Sequence, residues 1–397
     1  MRIVLLLLLC LPGLCKAAAQ DLAIRDAKVY PSPEAQAINH ATILIRGGKI
    51  TAVGEHVAIP HGVATLPCTG CVVFAGFWNT HVHFTEAKWI DAEHQPEDRL
   101  TQNMQQMLTL SGFTTVVDTA SDPTNTVALR RRIESGEVAG PHIYTAGAGL
   151  YPPHAIPYYL KDLPPEILAH LPQPEDPAAA SAVVEENIAL GTDIVKLFTG
   201  SIVAPGHIVP MPLDIAKAAA AAGHERGQLV FAHPSNLAGT RVAMDSGVDV
   251  LAHAPEELEG IDDALLRQMI ARHMSMIPTL KLFSQDSSIA GIRSVVFKFR
   301  QFGGQLMFGT DTGFLTDYSV TEEYRQLALA GLTFRDVLAM LTTAPAERFH
   351  VSKEKGRVAI GMAGDLTVLS SDPATDSLAF TQVRYAIRSG KVIASKP

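Results

Sequence analysis

Apolar and polar positions alternate with a period of two near both ends of the chain. The segments LAIRDAKVY, ATILIRGGKITAVG and HVAI within residues 21–66 read as short strands, and Gly47-Gly48 marks a hairpin turn. The chain from about residue 356 has the same texture: VAIGMAGDLTVLSSD and YAIRSGKVIASKP read as strands with glycine-containing turns. The middle differs. Short apolar runs at 72–84, 113–119, 142–147, 193–199, 229–233, 248–253, 275–280 and 305–311 alternate with segments of helical period such as AAASAVVEENIALG, PLDIAKAAAAAGHERG and DDALLRQMIARH. The runs are apolar without interruption, as strands buried on both faces must be. Eight of them with intervening helices is the count of a parallel (β/α)8 TIM barrel. A doubly wound open sheet is the structural alternative, but its glycine-rich phosphate fingerprint is absent.

This pattern divides the chain into four expected parts: a leader over 1–19, a β-rich part over 20–71, the barrel over 72–350, and a return to β structure over 351–397. Two strand-rich ends flanking a helical middle suggest that the termini meet. Residues 151–177 break the rhythm with eight prolines, which resist a long helix or a central strand. The segment follows the third barrel strand. It reads either as a lid over the mouth or as a rigid surface excursion, and Tyr151, His154, Tyr158 and Tyr159 are its residues most able to touch a ligand.

The leader changes the expected address. Arg2 precedes an apolar stretch over 3–12, and Ala17-Ala18-Ala19 offers a small-residue cleavage site. The stretch is too short to span a bilayer, so it reads as a signal peptide, and the mature protein is expected to be periplasmic or secreted. Leucines precede Cys10 and Cys15 where a lipoprotein signal would need a small residue. No later segment is long and apolar enough to span a membrane. The formal charge is −8, and loss of residues 1–19 removes Arg2 and Lys16 to leave −10. With no basic stripe, nucleic acid and anionic membranes are poor partners, and a small-molecule substrate is expected. Only Cys68 and Cys71 survive cleavage. At an oxidising address their CTGC spacing favours a disulfide over free thiols or a redox pair.

Six residues carry the candidate chemistry. His81 and His83 in NTHVHF, Lys196 in DIVKLF, His233 in VFAHPS, His253 in VLAHAPE and Asp311 in FGTDTG each sit at or near the C-terminal end of an apolar run. A parallel barrel gathers its catalytic groups there. His81 and His83, two apart on a strand, face the same side and can bind one metal. A single histidine like His233 or His253 is more often a core residue, but two at matching strand ends are harder to dismiss. A bare ammonium in IVKLF is costly, and burial favours its neutral amine. Lys196 is therefore a partner of a buried acid such as Asp193 or Asp311, a Schiff-base lysine, or a CO₂-modified lysine whose two oxygens bridge cations. Asp311 reads as a metal ligand and proton acceptor, or as an N-cap.

The chain resembles the amidohydrolase superfamily, in its imidazolonepropionase-like and prolidase-like branch. AGFWNTHVHF is similar to the family's first-strand metal motif, FAHPSNLAGTRVAMDSGVDVLAHAPEELEG to its paired-histidine block, and FGTDTG to its eighth-strand acid. LALAGLTFRDVLAMLTTAPAERF, followed by GRVAIGMAGDLTVLS, resembles its ending. The likeness spans nearly the whole mature chain. It implies a distorted (β/α)8 barrel with a small β-sandwich built from both termini, and two divalent cations, usually zinc. His81, His83 and Asp311 would hold one, His233 and His253 the other, and a carbamate on Lys196 would bridge them. A hydroxide between the cations would attack a carbonyl, with Asp311 moving the proton to the leaving group. Asn79 and Ala75 depart from the family's usual Asp and Pro, which leaves the ligand set intact but the substrate-facing residues less secure.

The function expected is therefore an exported hydrolase of amide-type bonds, such as those of Xaa-Pro dipeptides, N-acyl amino acids or cyclic amides. An esterase or lactonase using the same site, a periplasmic ligand-binding protein and a Schiff-base enzyme are the competing readings.

Overall fold

The computed structural model of the protein describes residues 21–396. The expected signal peptide at 1–19 lies outside the described residues. Eight parallel strands run through the middle of the chain, each followed by at least one helix. They form two arcs. Phe77–Val82, Phe113–Asp118 and His142–Thr145 make an arc of three, and Ile194–Phe198, Leu229–His233, Val250–Leu251, Ser275–Met276 and Gln305–Leu306 an arc of five. The ladders do not join into one closed sheet. The seams are isolated bridges, Val82 to Thr312 and Leu150 to Leu197, with single bonds such as Thr80 N–H to Phe308 O at 2.7 Å.

The helices between the strands start and stop where local chemistry dictates. Asp176 accepts from the Ala179 N–H ahead of Pro177, whose missing N–H costs nothing at a first helical position, and Gly191 at φ 100° ends the helix Pro177–Leu190. Asp122, Asn236 and Asp262 cap the helices Pro123–Glu134, Leu237–Ser246 and Asp263–Ala271 in the same way. Among the described residues no helix is long and apolar enough to cross a membrane.

Both ends of the described chain lie in one eight-stranded mixed sheet. Strand Leu366–Leu369 pairs antiparallel with Val72–Ala75, and Val72–Ala75 pairs with Leu22–Val29. The termini therefore meet, but as one sheet rather than as the two facing sheets of the expected sandwich. The expected single strand over 72–84 is also two. Val72–Ala75 belongs to the terminal sheet, and Phe77–Val82 begins the parallel one. The chain crosses over at Gly76, where a Cβ would stand 2.1 Å from Thr114 Oγ1 and where the N–H donates to Asp365 O. Phe74 and Phe77, 5.7 Å apart, carry the crossing into a cluster with Phe334 and Phe380. Such pairs add about 0.5–1.5 kcal/mol each beyond their burial. This fixes the strand that carries His81.

Cys68 and Cys71 are bonded to each other beside Leu22–Val29. A cross-link over so short a loop constrains the unfolded chain little, so replacing both with serine is expected to cost about 1–2 kcal/mol. Chemical denaturation of the double variant measures it. A loss well above that range would mean that the bond does more than close its loop.

Candidate metal and catalytic site

The six residues singled out by sequence come together. His81, His83, Lys196, His233 and His253 lie on or just past four of the strands, and Asp311 on the turn after Gln305–Leu306. The rings form a continuous row. His83 and His81 centroids are 5.2 Å apart, His81 and His253 4.4 Å, and His253 and His233 4.5 Å. Asp311 Oδ1 stands 3.2 Å from His81 Nε2 and 3.1 Å from His83 Nε2. Lys196, His83, His233, His253 and Asp311 all line one cavity of about 720 Å³.

Hydrogen bonds decide which nitrogen faces the cavity. Carbonyl oxygens only accept, so His81 Nδ1 donates to Ala252 O at 2.6 Å and His83 Nδ1 donates to Ala120 O at 2.8 Å. Thr279 gives its own hydroxyl proton to Pro278 O and accepts from His253 Nδ1 at 2.7 Å. In all three rings Nε2 is left as the lone-pair nitrogen. Such outer contacts are what orient metal-binding histidines. His81 Nε2 and Asp311 Oδ1 are both buried, and neither has a hydrogen-bond partner. Two facing acceptors with no hydrogen between them fit a cation. His81, His253 and Asp311 are a group able to hold a metal ion.

Burial and Asp311 set the charge tendencies of the group. Burial holds His81 down at about 4, partly opposed by Asp311, and holds His233 down at about 3. Burial pulls His83 down as well, but contact with Asp311 outweighs it and the net shift is upward. Burial raises Asp311, yet His81 and His83 pull it well below the usual carboxylate range. Burial lowers Lys196 to about 7, against the opposing pull of Asp311 and Asp118. Lys196 has no ion-pair partner among the described residues. Asp193 is taken by Arg130, and no ion pair joins Lys196 to Asp311 among the described residues, so pairing with either acid does not explain its burial.

Two backbone positions at the site are strained. Asp311 at φ 57° and Thr279 at φ 47° occupy the left-handed region, which is unusual for a β-branched residue. Gly313, at φ 102°, lets the turn close on the first strand. A Cβ there would lie 2.0 Å from His83 O. Asn79 ties the same elements from below, giving Nδ2–H to Thr310 Oγ1 at 2.7 Å and accepting from Thr310 N–H at 3.2 Å.

The proline-rich segment covers part of the cavity. Tyr151 is buried and stacks on Phe198 at 4.3 Å, while Tyr158 and Tyr159 line the opening, where Tyr159 meets Phe314. His154 does not line it. Its ring points to solvent and lies 3.3 Å from Glu175, because its own φ of 56° turns the chain outward. Sequence reasoning missed the hairpin Gly200–Ala204/His207–Pro210, which supplies Ile202 and Ile208 to the lining. It also missed Thr279 and the acids Glu256, Glu257 and Asp286 of the cavity wall. Glu256 and Glu257 follow His253 in the motif APEE, and that adjacency was the available signal.

Residues 72–393 match the amidohydrolase family. The chain belongs to the amidohydrolase family. As a member it is a hydrolase acting on carbon–nitrogen bonds, in a family that binds divalent metals. No curated protein sequence matches it. Among solved structures it is similar to a Xaa-Pro dipeptidase with bound methionine, at 21% identity and TM-score 0.78, over 95% of this chain and 100% of that one. A prolidase complexed with N-methylphosphonate-L-proline matches at 20% identity and TM-score 0.78, over 95% and 100%. The ochratoxinase of A. niger matches at 19% identity and TM-score 0.75, over 95% and 96%. These likenesses show the shared fold.

Proposed function

We propose that the protein is an exported enzyme that hydrolyses amide-type bonds of small molecules at a centre of two divalent cations, zinc by preference. The two arcs of parallel strands act as a distorted (β/α)8 barrel, and the sheet of both ends as a small β domain beside it. The observation that carries the reading is the buried pair His81 Nε2 and Asp311 Oδ1, 3.2 Å apart with no proton donor to either. His81, His83 and Asp311 would hold one cation, His233 and His253 the other, and Lys196 as a carbamate both. Burial without an acid partner supports the carbamate, since the neutral amine is the form that takes up CO₂.

Bound there, divalent metal supplies Lewis acidity toward the scissile carbonyl and toward water. The residues do the rest. Asp311 takes a proton and returns it to the leaving nitrogen. Tyr151 on Phe198 closes one wall of the cavity, and Tyr158 and Tyr159 narrow its opening against water. Cleavage of an amide panel by purified metal-loaded protein, with metal content measured by elemental analysis, tests the reading. Xaa-Pro dipeptides, N-acyl amino acids and cyclic amides are the classes to include. Full activity after exhaustive chelation would refute it.

The orientation of His253 gives a second check. Thr279→Val keeps shape and branching but removes the acceptor for Nδ1–H. Metal affinity or activity is expected to fall about 10–100-fold. Metal titration followed by kinetics measures both, and unchanged values would show that the hydroxyl does not set the ring.

A further inference from the structure

We propose that Glu256 selects substrates carrying an ammonium or guanidinium group, and that this cavity disfavours substrates with a free carboxylate. The proposal rests on the amide-hydrolase reading above and narrows its substrate class. It begins from the charges around the cavity. Among the described lining residues Lys196 is the sole lysine or arginine, and it belongs to the centre itself. Asp311 belongs to the centre too, and outside it the charged side chains of the lining are Glu256, Glu257 and Asp286, all acids. A carboxylate substrate is normally read by a guanidinium or an ammonium. Here it would meet acids instead. The tyrosine hydroxyls donate to a neutral carbonyl as well as to a carboxylate, and they carry no positive charge that would offset the acids around them.

Glu256 is placed rather than loose. It lies three residues beyond His253. The backbone N–H groups of Glu256 and Glu257 both donate to Ser235 O at 3.0 Å, which seats the turn against the loop after His233. Its Oε1 is buried and has no hydrogen-bond partner. Burial and then Glu257 push the carboxyl up to about 7, a hydrogen bond with Ser235 opposes them and Asp286 adds to them, and among the described residues no counter-charge pairs with it. A substrate cation would supply that charge. The aromatic rings of Tyr158, Tyr159, Phe283 and Phe314 on the same cavity offer faces that also favour a cation.

Two of the classes open to an amidohydrolase carry a free carboxylate, the Xaa-Pro dipeptides and the N-acyl amino acids. The charge of this cavity turns against both. It favours amides with a basic side chain or a free amine on one side of the scissile bond.

Three anilides of matched length test this: 5-aminopentanoyl anilide, hexanoyl anilide and adipic monoanilide. They share the scissile bond and differ in ending on ammonium, methyl or carboxylate. With metal-loaded protein, kcat/KM for the ammonium is expected to exceed that for the methyl compound by about tenfold, with the carboxylate lowest. Glu256→Gln should bring the ammonium-to-methyl ratio down toward one, and Glu256→Lys should move the preference to the carboxylate. Turnover of all three without a charge preference overturns the role of Glu256 and leaves amide hydrolysis standing. No turnover of any shows that these anilides are not substrates and leaves their binding as the readout. Calorimetric binding of the same anilides to wild type and Glu256→Gln then decides the present proposal, and equal affinities would overturn it.

Discussion

Lys196→Met is expected to abolish measurable turnover and to empty at least one cation site. Lys196 is fully buried on strand Ile194–Phe198, lines the cavity between the histidines, and has no acid partner among the described residues. If its amine carries CO₂, the variant loses both bridging oxygens at once. The loss in kcat is expected to be on the order of a thousandfold or more, about 4 kcal/mol of barrier. Methionine fills the same space, so the fold should survive. A short carboxylic acid such as propionate should restore part of the activity by offering two oxygens in the vacated space. Elemental analysis showing full metal content in the variant would end the bridging role. Stability gives an independent reading in metal-free, CO₂-free buffer. Burial lowers Lys196 from 10.5 to about 7, so the unfolded chain binds more protons between those values and stability should rise with pH across that window. Lys196→Met should flatten that rise, which chemical denaturation at several pH values measures.

Asp311→Asn is expected to lower kcat by about 10³–10⁴-fold. Asparagine tolerates the left-handed backbone at this position nearly as well as aspartate does, so the turn should hold. The amide cannot accept a proton in the working range, and its NH₂ can donate to the lone pairs at His81 and His83 Nε2. Metal content should therefore fall with activity. Circular dichroism and thermal unfolding verify the fold, and single-turnover kinetics read the chemistry. Activity within tenfold of wild type would show that another group moves the proton.

The site was more legible in the sequence than the architecture around it. A single histidine, lysine or aspartate at the end of an apolar strand is often structural, but a set of them at matching strand ends is not. Six of them across eight strand units therefore point to one place in the sequence itself. Helix bounds were legible too, because Asp176, Pro177 and Gly191 act locally. Sheet membership was not. Residues 72–84 read as one strand because burial on both faces leaves the same apolar run whichever sheet receives it. Only the close approach of Gly76 to Thr114 separates the two halves. The expected strands 248–253, 275–280 and 305–311 shortened to Val250–Leu251, Ser275–Met276 and Gln305–Leu306. Their later residues leave the ladder to place His253, Thr279 and Asp311. Thr279 was out of reach, since nothing in PTLK announces which ring the fold will bring beside it, whereas Glu256 was signalled only by its place three residues after His253. His154 misled because a histidine in a mouth-side segment looks like a ligand until its backbone turns it outward.

Strand Leu366–Leu369 lies beside Val72–Ala75, and the very next residues of that strand lead into the one bearing His81 and His83. Nearly three hundred residues separate the two partners along the chain. During synthesis, the first histidines emerge long before the strand that pins their support has been made. Assembly of the centre must then wait until the whole chain is available, and ion uptake would be the last event in maturation. A nascent or early-terminated chain would display its apolar strands without ever gaining chemistry, and would be a substrate for chaperones and proteases instead.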